Sequence, residues 1–157
     1  MNKTFQILVY GYGNPGRQDD GLGSELVRRL EQWKVAEGIA GLDFDENYQL
    51  NIEDAEIISR YKLVIFADAS TEDIGDFLLT DVDGENDVAF TSHAASPGYI
   101  LQLCHDLFKV FPVVKLLHIK GYEWEFQEGL SQKAENNLDR ALVFIKKLIL
   151  NFLNTNG

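Results

Sequence analysis

The chain has 157 residues, of which 45% are hydrophobic, and this length suits one folded domain spanning residues 1–157. Its 25 acidic and 14 basic residues give a formal charge of -11, which argues against the clustered cations that binding to nucleic acids or anionic lipids requires. No apolar run is long enough to span a bilayer, no signal peptide is recognisable, and the only cysteine is Cys104. We therefore expect a cytoplasmic protein with no intrachain disulfide, no membrane segment and no nucleic-acid partner.

Apolar runs and amphipathic segments alternate along the chain. Short apolar runs that end at turn residues predict strands, and apolar residues recurring every three or four positions predict helices. Their alternation predicts an α/β fold with a mostly parallel sheet covered on both faces. The predicted strands are 5–13, 38–46, 61–70, 75–84 and 113–122, and the predicted helices are 21–33, 51–61 capped by Asn51, about 98–108, and a long final helix capped by Ser131.

The first loop, GYGNPGRQDDGLG at residues 11–23, satisfies the G-x-G-x-x-G spacing of a dinucleotide-binding turn. In such a site, backbone amides and a helix N-terminus face a phosphate. Here Asp19 and Asp20 stand just before the predicted helix, where two carboxylates would repel that phosphate. The loop therefore favours a cation over an anion, although nucleotide binding remains the alternative interpretation.

Three polar side chains are predicted to meet at the carboxyl end of the sheet, where ligands of open α/β sheets gather. Asp20 follows the first strand, Asp68 ends the apolar run LVIFADAS, and His93 lies in the loop TSHAASPG. Two carboxylates and an imidazole can hold a divalent metal with positions left for water or substrate. The sequence thus predicts a metal site at this edge.

Other candidates for catalytic chemistry are weaker. The chain contains neither the H-E-x-x-H helix of zinc proteases nor the G-x-S-x-G turn of serine hydrolases. Cys104 lies among apolar residues of a predicted helix and is expected in the core. His105 and His118 are expected to be structural.

Four segments in this order and spacing resemble the hydrogenase maturation proteases: GYGNPGRQDDGLG, VIFADAS, TSHAASPG and IKGYEWEFQEGLSQKAENNL. The resemblance extends from about residue 7 to residue 150. It implies a three-layer α/β/α fold with a five-stranded twisted sheet. It also implies an endopeptidase that removes a C-terminal extension from the large-subunit precursor of a nickel–iron hydrogenase, after nickel has been inserted.

The same resemblance implies roles for individual residues. The metal ligands of the family fall on Asp20, Asp68 and His93. Some members have the histidine directly after a Ser-Pro pair, where this chain has Gly98. Asp19 is expected to line the cleft or to assist the ligands, and either Asp19 or Asp68 could act as general base. Nickel would arrive with the precursor, and other divalent metals could substitute for it. A non-catalytic binding module on the same fold, such as a maturation chaperone, is the alternative function.

Overall fold

The computed structural model describes residues 4–85 and 95–156. Five strands and four helices follow one another along these residues, with a short 3-10 turn at Gln18–Gly21. The strands are β1 (Phe5–Tyr12), β2 (Leu42–Asn47), β3 (Tyr61–Ser70), β4 (Phe77–Asp81) and β5 (Val113–Lys120), and the helices are α1 (Leu22–Glu37), α2 (Asp54–Ile58), α3 (Pro97–Phe108) and α4 (Gln132–Asn156).

The strands form one sheet in the order β2-β1-β3-β5-β4. The first four strands of this order pair in parallel, and only β4 is antiparallel to its neighbour. Helices α1 and α4 cover one face, and α2 and α3 cover the other. The predicted α/β fold, with a mostly parallel sheet between helices, is confirmed.

Each face of the sheet has its own core. Alternate residues of a strand point to opposite faces, so Ile65 and Ala67 of β3 pack under α1 and α4, while Val64 and Phe66 pack under α2 and α3. The stripe of α4 is buried as predicted at Leu138, Ala141, Leu142, Ile145 and Ile149, and Leu148 and Phe152 are partly buried against it.

The clearest differences from the prediction lie in α1, β2, α2 and β4, of which β4 is limited to Phe77–Asp81. Helix α1 continues to Glu37 and ends at Gly38, which adopts the left-handed conformation with φ 65°, so β2 begins only at Leu42. Helix α2 is limited to five residues, and Asn51 does not cap it. Instead the buried carboxylate of Asp54 accepts hydrogen bonds from the Asn51 amide (2.8 Å) and the Tyr10 hydroxyl (2.9 Å), which fixes this turn against β1.

One predicted helix cap and one predicted core residue are confirmed. Ser131 Oγ accepts a hydrogen bond from the Ala134 amide at the start of α4. Ser96, which is not predicted as a cap, accepts one through Oγ from the Tyr99 amide at the start of α3. Helix α4 ends at Asn156. Cys104 is fully buried, and burial raises the pKa of its thiol to about 11. No helix within the described ranges has the length and apolarity that crossing a membrane requires.

Candidate functional site

The carboxyl ends of β1, β3 and β5 lie side by side at one edge of the sheet. Asp68 of β3 is paired in register with His118 of β5, and Gly11 of β1 with Ala67 of β3. The alternation of side chains therefore places Tyr12, Asp68 and His118 in one row, on the face covered by α2 and α3. The row continues the buried core of that face to the rim of the sheet.

The glycines of the first loop bring α1 close to the strand ends. A β-carbon on Gly11 would lie 2.2 Å from the carbonyl oxygen of Gly23, and a β-carbon on Gly13 would lie 2.1 Å from that of Asp20. Gly13 also has φ 134°, which an L side chain rarely adopts. These contacts explain the glycine spacing by close packing of strand and helix.

Asp20 faces the strand ends from this loop. One of its carboxylate oxygens accepts a hydrogen bond of 2.8 Å from the Asn14 amide, which anchors the side chain. The carboxyl group borders an open cleft of about 540 Å³ together with Asp68. The other cleft residues are Arg17, Ala69, Ser70, Thr71, Glu72, Leu116, His118 and Trp124.

Asp68 carries the strongest electrostatic perturbation in this cleft. Burial and the neighbouring charge of Asp20 raise its pKa to about 7, although hydrogen bonds from the Ala69 amide and the Tyr12 hydroxyl partly offset both effects. Burial and Asp68 in turn raise the pKa of the Tyr12 hydroxyl, which stays protonated as a donor. The buried Asp68 carboxyl beside the Asp20 carboxylate forms a site whose negative charge a cation would neutralise.

Asp19 does not line the cleft, which corrects the expectation for this residue. Its side chain is fully buried. One oxygen accepts the Ser131 amide at 2.7 Å, and the other accepts the Ser131 hydroxyl at 2.7 Å and the amides of Tyr122 and Glu123 at 2.7 and 3.0 Å. Because both oxygens are engaged, Asp19 joins the first loop to the start of α4 and has no oxygen free to act as a base.

The segment after β5, residues 121–131, forms a wall of the cleft through Trp124. Besides Asp19, two residues of the first loop hold it. Arg17 Nη2 donates to the Trp124 carbonyl at 3.2 Å, and its guanidinium lies 4.9 Å from the centre of the exposed Phe126 ring. Gln18 is buried with φ 47°, and its side-chain oxygen accepts from the Glu125 amide at 2.9 Å. Residues 121–131, which form this cleft wall, are therefore held in place by side chains of the first loop.

The third predicted ligand, His93, lies outside the described residues. Within residues 4–85 and 95–156, no three ligating side chains are already assembled as a metal site. The structure thus brings Asp20 and Asp68 together and leaves the assignment of His93 a prediction. The chemistry of the carboxylate pair suits a divalent cation.

The first loop is poorly suited to bind the pyrophosphate of a dinucleotide. The amide of Asn14 is engaged by Asp20 and that of Gly16 by the Asn14 side chain at 2.8 Å, while the Gly13 amide donates to the Asn47 carbonyl. Acceptors of the chain itself, a carboxylate, a side-chain amide oxygen and a carbonyl, therefore already take up the donors that a phosphate would need. The geometry favours the cation interpretation of this loop.

Two residues of the site are not predicted from the sequence. The pattern places Tyr12 only within a strand, and it predicts a structural role for His118. The periodicity of each strand shows that both share a face with the apolar residues preceding them. However, their proximity to Asp68 depends on the order of strands in the sheet, which a single sequence does not state.

Comparison with known proteins gives a consistent result. No family model matches the chain. A Methanocaldococcus jannaschii protein provisionally named a hydrogenase maturation protease is 26% identical over 151 residues, which cover 91% of this chain and 96% of that protein. The NiFe hydrogenase maturation protease HycI of Thermococcus kodakarensis superposes with a TM-score of 0.72 at 19% identity, covering 96% of this chain and 93% of that one.

The Escherichia coli hydrogenase maturating endopeptidase HybD superposes with a TM-score of 0.66 at 19% identity, covering 96% of this chain and 94% of that one. The chain has the fold of the hydrogenase maturation proteases. The resemblance inferred from the four motifs is thereby confirmed. Asp20 and Asp68, on which that resemblance places two ligands, both border the cleft of this fold, as does Glu72.

Proposed function

We propose that this protein is a processing endopeptidase that removes the C-terminal extension of a nickel–iron hydrogenase large-subunit precursor. The observation that carries the proposal is the coupled pair of Asp20 and Asp68 at an open cleft, on a fold shared with maturation proteases. A carboxylate pair at the surface can approach a metal that is already bound to another protein. Recognition would then depend on the nickel that the precursor carries.

The residues of the cleft would divide the work. Asp20 and Asp68 contact the nickel, which can polarise the scissile carbonyl or a water molecule. Because all four hydrogen bonds of Asp19 are made within the protein, we expect Asp20 or Asp68 to be the general base that accepts a proton from water. Trp124 and Phe126 offer an aromatic wall beside which the extension can lie in an extended conformation.

Mass spectrometry of the nickel-loaded precursor before and after incubation with the protein tests this proposal. The expected product lacks the C-terminal extension, and nickel-free precursor is expected to stay intact. D20N and D68N should each reduce the cleavage rate at least about 100-fold, since each removes a charged contact to the metal. D106N is a matched control, because Asp106 lies near the end of α3 that leads into the opposite edge of the sheet.

The outcomes separate function from site. Failure of the wild-type protein to cut any nickel-loaded precursor from the same organism would refute the function. Normal cleavage by both D20N and D68N would keep the function and refute the site.

A further inference from the structure

His118 lies in the cleft on the strand next to Asp68. Strand β5 is flanked by β3 and β4, so the Cα of His118 is paired with Asp68 on one side and with Leu78 on the other. Val114 and Leu116 point to the face under α2 and α3, and His118 follows them on that face at the rim. The imidazole therefore shares the cleft with both carboxylates.

Among the described residues, the His118 imidazole is held through one ring nitrogen. His118 Nε2 lies 2.9 Å from the Thr80 hydroxyl oxygen, and Nδ1 makes no hydrogen bond to another described residue. When Nε2 carries the proton and donates it to Thr80, the lone pair of Nδ1 is available to a metal. A hydrogen bond on the opposite ring nitrogen is the usual way in which proteins orient a histidine ligand.

The donor set of the cleft favours this use of the ring. Two carboxylates alone form a hard oxygen site, whereas nickel, cobalt and zinc bind more strongly when an imidazole is added. Of the described histidines, His105 packs on the Phe111 ring at 4.3 Å near the end of α3, and His118 alone borders the cleft. Neutral imidazole would add affinity without adding charge.

We propose that His118 binds through Nδ1 the divalent cation held by Asp20 and Asp68, with Thr80 as the residue that positions its ring. This inference rests on the cation site of the proposed function. The three side chains are not preassembled among the described residues, so the ligand set forms when the cation enters. Asp68 and His118 are paired in register on adjacent strands, so their side chains leave the same face of the sheet at neighbouring positions.

Calorimetric titration of the full-length protein with Ni²⁺ provides the first test. D68N is expected to abolish binding, H118A to weaken it about 10-fold to 100-fold, and T80V to weaken it less than H118A. H105A is the matched control and should bind as the wild type does. Thermal unfolding of each variant establishes that it is folded.

The pattern of results separates the two proposals. If D68N loses binding while H118A retains the wild-type affinity, His118 is not a ligand and the carboxylate site stands. If D68N also retains the wild-type affinity, the carboxylate site itself is wrong. H93A is titrated in parallel to show whether the loop histidine contributes as well.

A measurement on the unmodified protein covers the case in which H118A does not fold. Long-range ¹H–¹⁵N spectra of the imidazole rings are recorded with and without Zn²⁺, a diamagnetic probe. Coordination predicts a large shift of His118 Nδ1 with a protonated Nε2, and no shift of the His105 nitrogens. An unchanged His118 Nδ1 at saturating Zn²⁺ would overturn the inference.

Discussion

Asp19 and Asp68 both end up at the carboxyl edge of the sheet, but their surroundings are opposite. Asp19 is fully buried and accepts four hydrogen bonds from residues 122–131, so its charge is stabilised within the protein. Burial and the charge of Asp20 disfavour the charged form of Asp68, and the Ala69 amide and the Tyr12 hydroxyl offset only part of this. The edge thus has one region whose carboxylate is satisfied by the fold and another, at Asp68, whose charged form the fold disfavours.

This contrast explains why the first loop carries two successive aspartates. Asp19 points toward the start of α4 and fixes the cleft wall, while Asp20 points toward β3 and borders the cleft. A single acid could not do both, because Asp19 is engaged by residues 122–131 whereas Asp20 accepts from the Asn14 amide and borders the cleft. Replacing Asp19 or Asp68 by asparagine is therefore expected to change the free energy of unfolding in opposite directions.

The largest expected effect is loss of stability in D19N. The asparagine replaces an acceptor of four donors by a group with one oxygen and an NH₂ that faces those donors. Hydrogen bonds to a buried charge are worth more than neutral ones, so we expect a loss of about 3 kcal/mol in the free energy of unfolding. Urea denaturation followed by circular dichroism measures it.

S131A is the control that calibrates this number. It removes the Ser131 hydroxyl, which donates to Asp19 and also caps α4, and we expect a loss of about 1 kcal/mol. A D19N protein as stable as S131A would show that Asp19 is not the junction described here.

D68N should have the opposite effect on the metal-free protein. The pKa of Asp68 is about 7 in the folded state and about 4 in the unfolded state, so the folded protein binds the extra proton between these values. Stability from this group is therefore full below about pH 4 and is lost as the pH rises through 7. Asparagine does not ionise, so D68N should be more stable than the wild type by on the order of 2 kcal/mol at pH 8.

Urea denaturation at pH 4 and at pH 8, with a chelator present, checks this sign. The gain should largely vanish at the lower pH, where Asp68 is protonated in the folded state and about half protonated in the unfolded state. A D68N protein less stable than the wild type at pH 8 would mean that the fold satisfies Asp68 as it does Asp19.

Local sequence predicts part of the difference between Asp19 and Asp68, and the remaining part depends on contacts between distant residues. The apolar run before Asp68 predicts a charge at the mouth of a buried strand, and the two acids beside Gly21 predict that the first loop is not a phosphate cradle. By contrast, the partners of Asp19 come from residues more than 100 positions away, and the pairing of Asp68 with His118 requires β5 to lie next to β3. Helix α2 was predicted too long because the bond of Asp54 to Tyr10 is a tertiary contact.

The smallest expected effect comes from removing the Tyr12 hydroxyl. It measures how much this hydrogen-bond donor stabilises the charged form of Asp68. Y12F removes a donor to the ionised carboxylate, so the pKa of Asp68 should rise further above 7. The ring keeps its edge-to-face contact with Phe66 at 6.3 Å, so stability at neutral pH should change by less than about 1 kcal/mol. Titration of the ¹³C carboxyl resonance of Asp68 measures the shift.

Y61F removes a similar hydroxyl from Asp43, at 3.0 Å, and should leave the pKa of Asp68 unchanged. A pKa of Asp68 that falls in Y12F would mean that the hydroxyl stabilises the protonated acid, and that burial together with Asp20 determines the charge state of the cleft without help from β1.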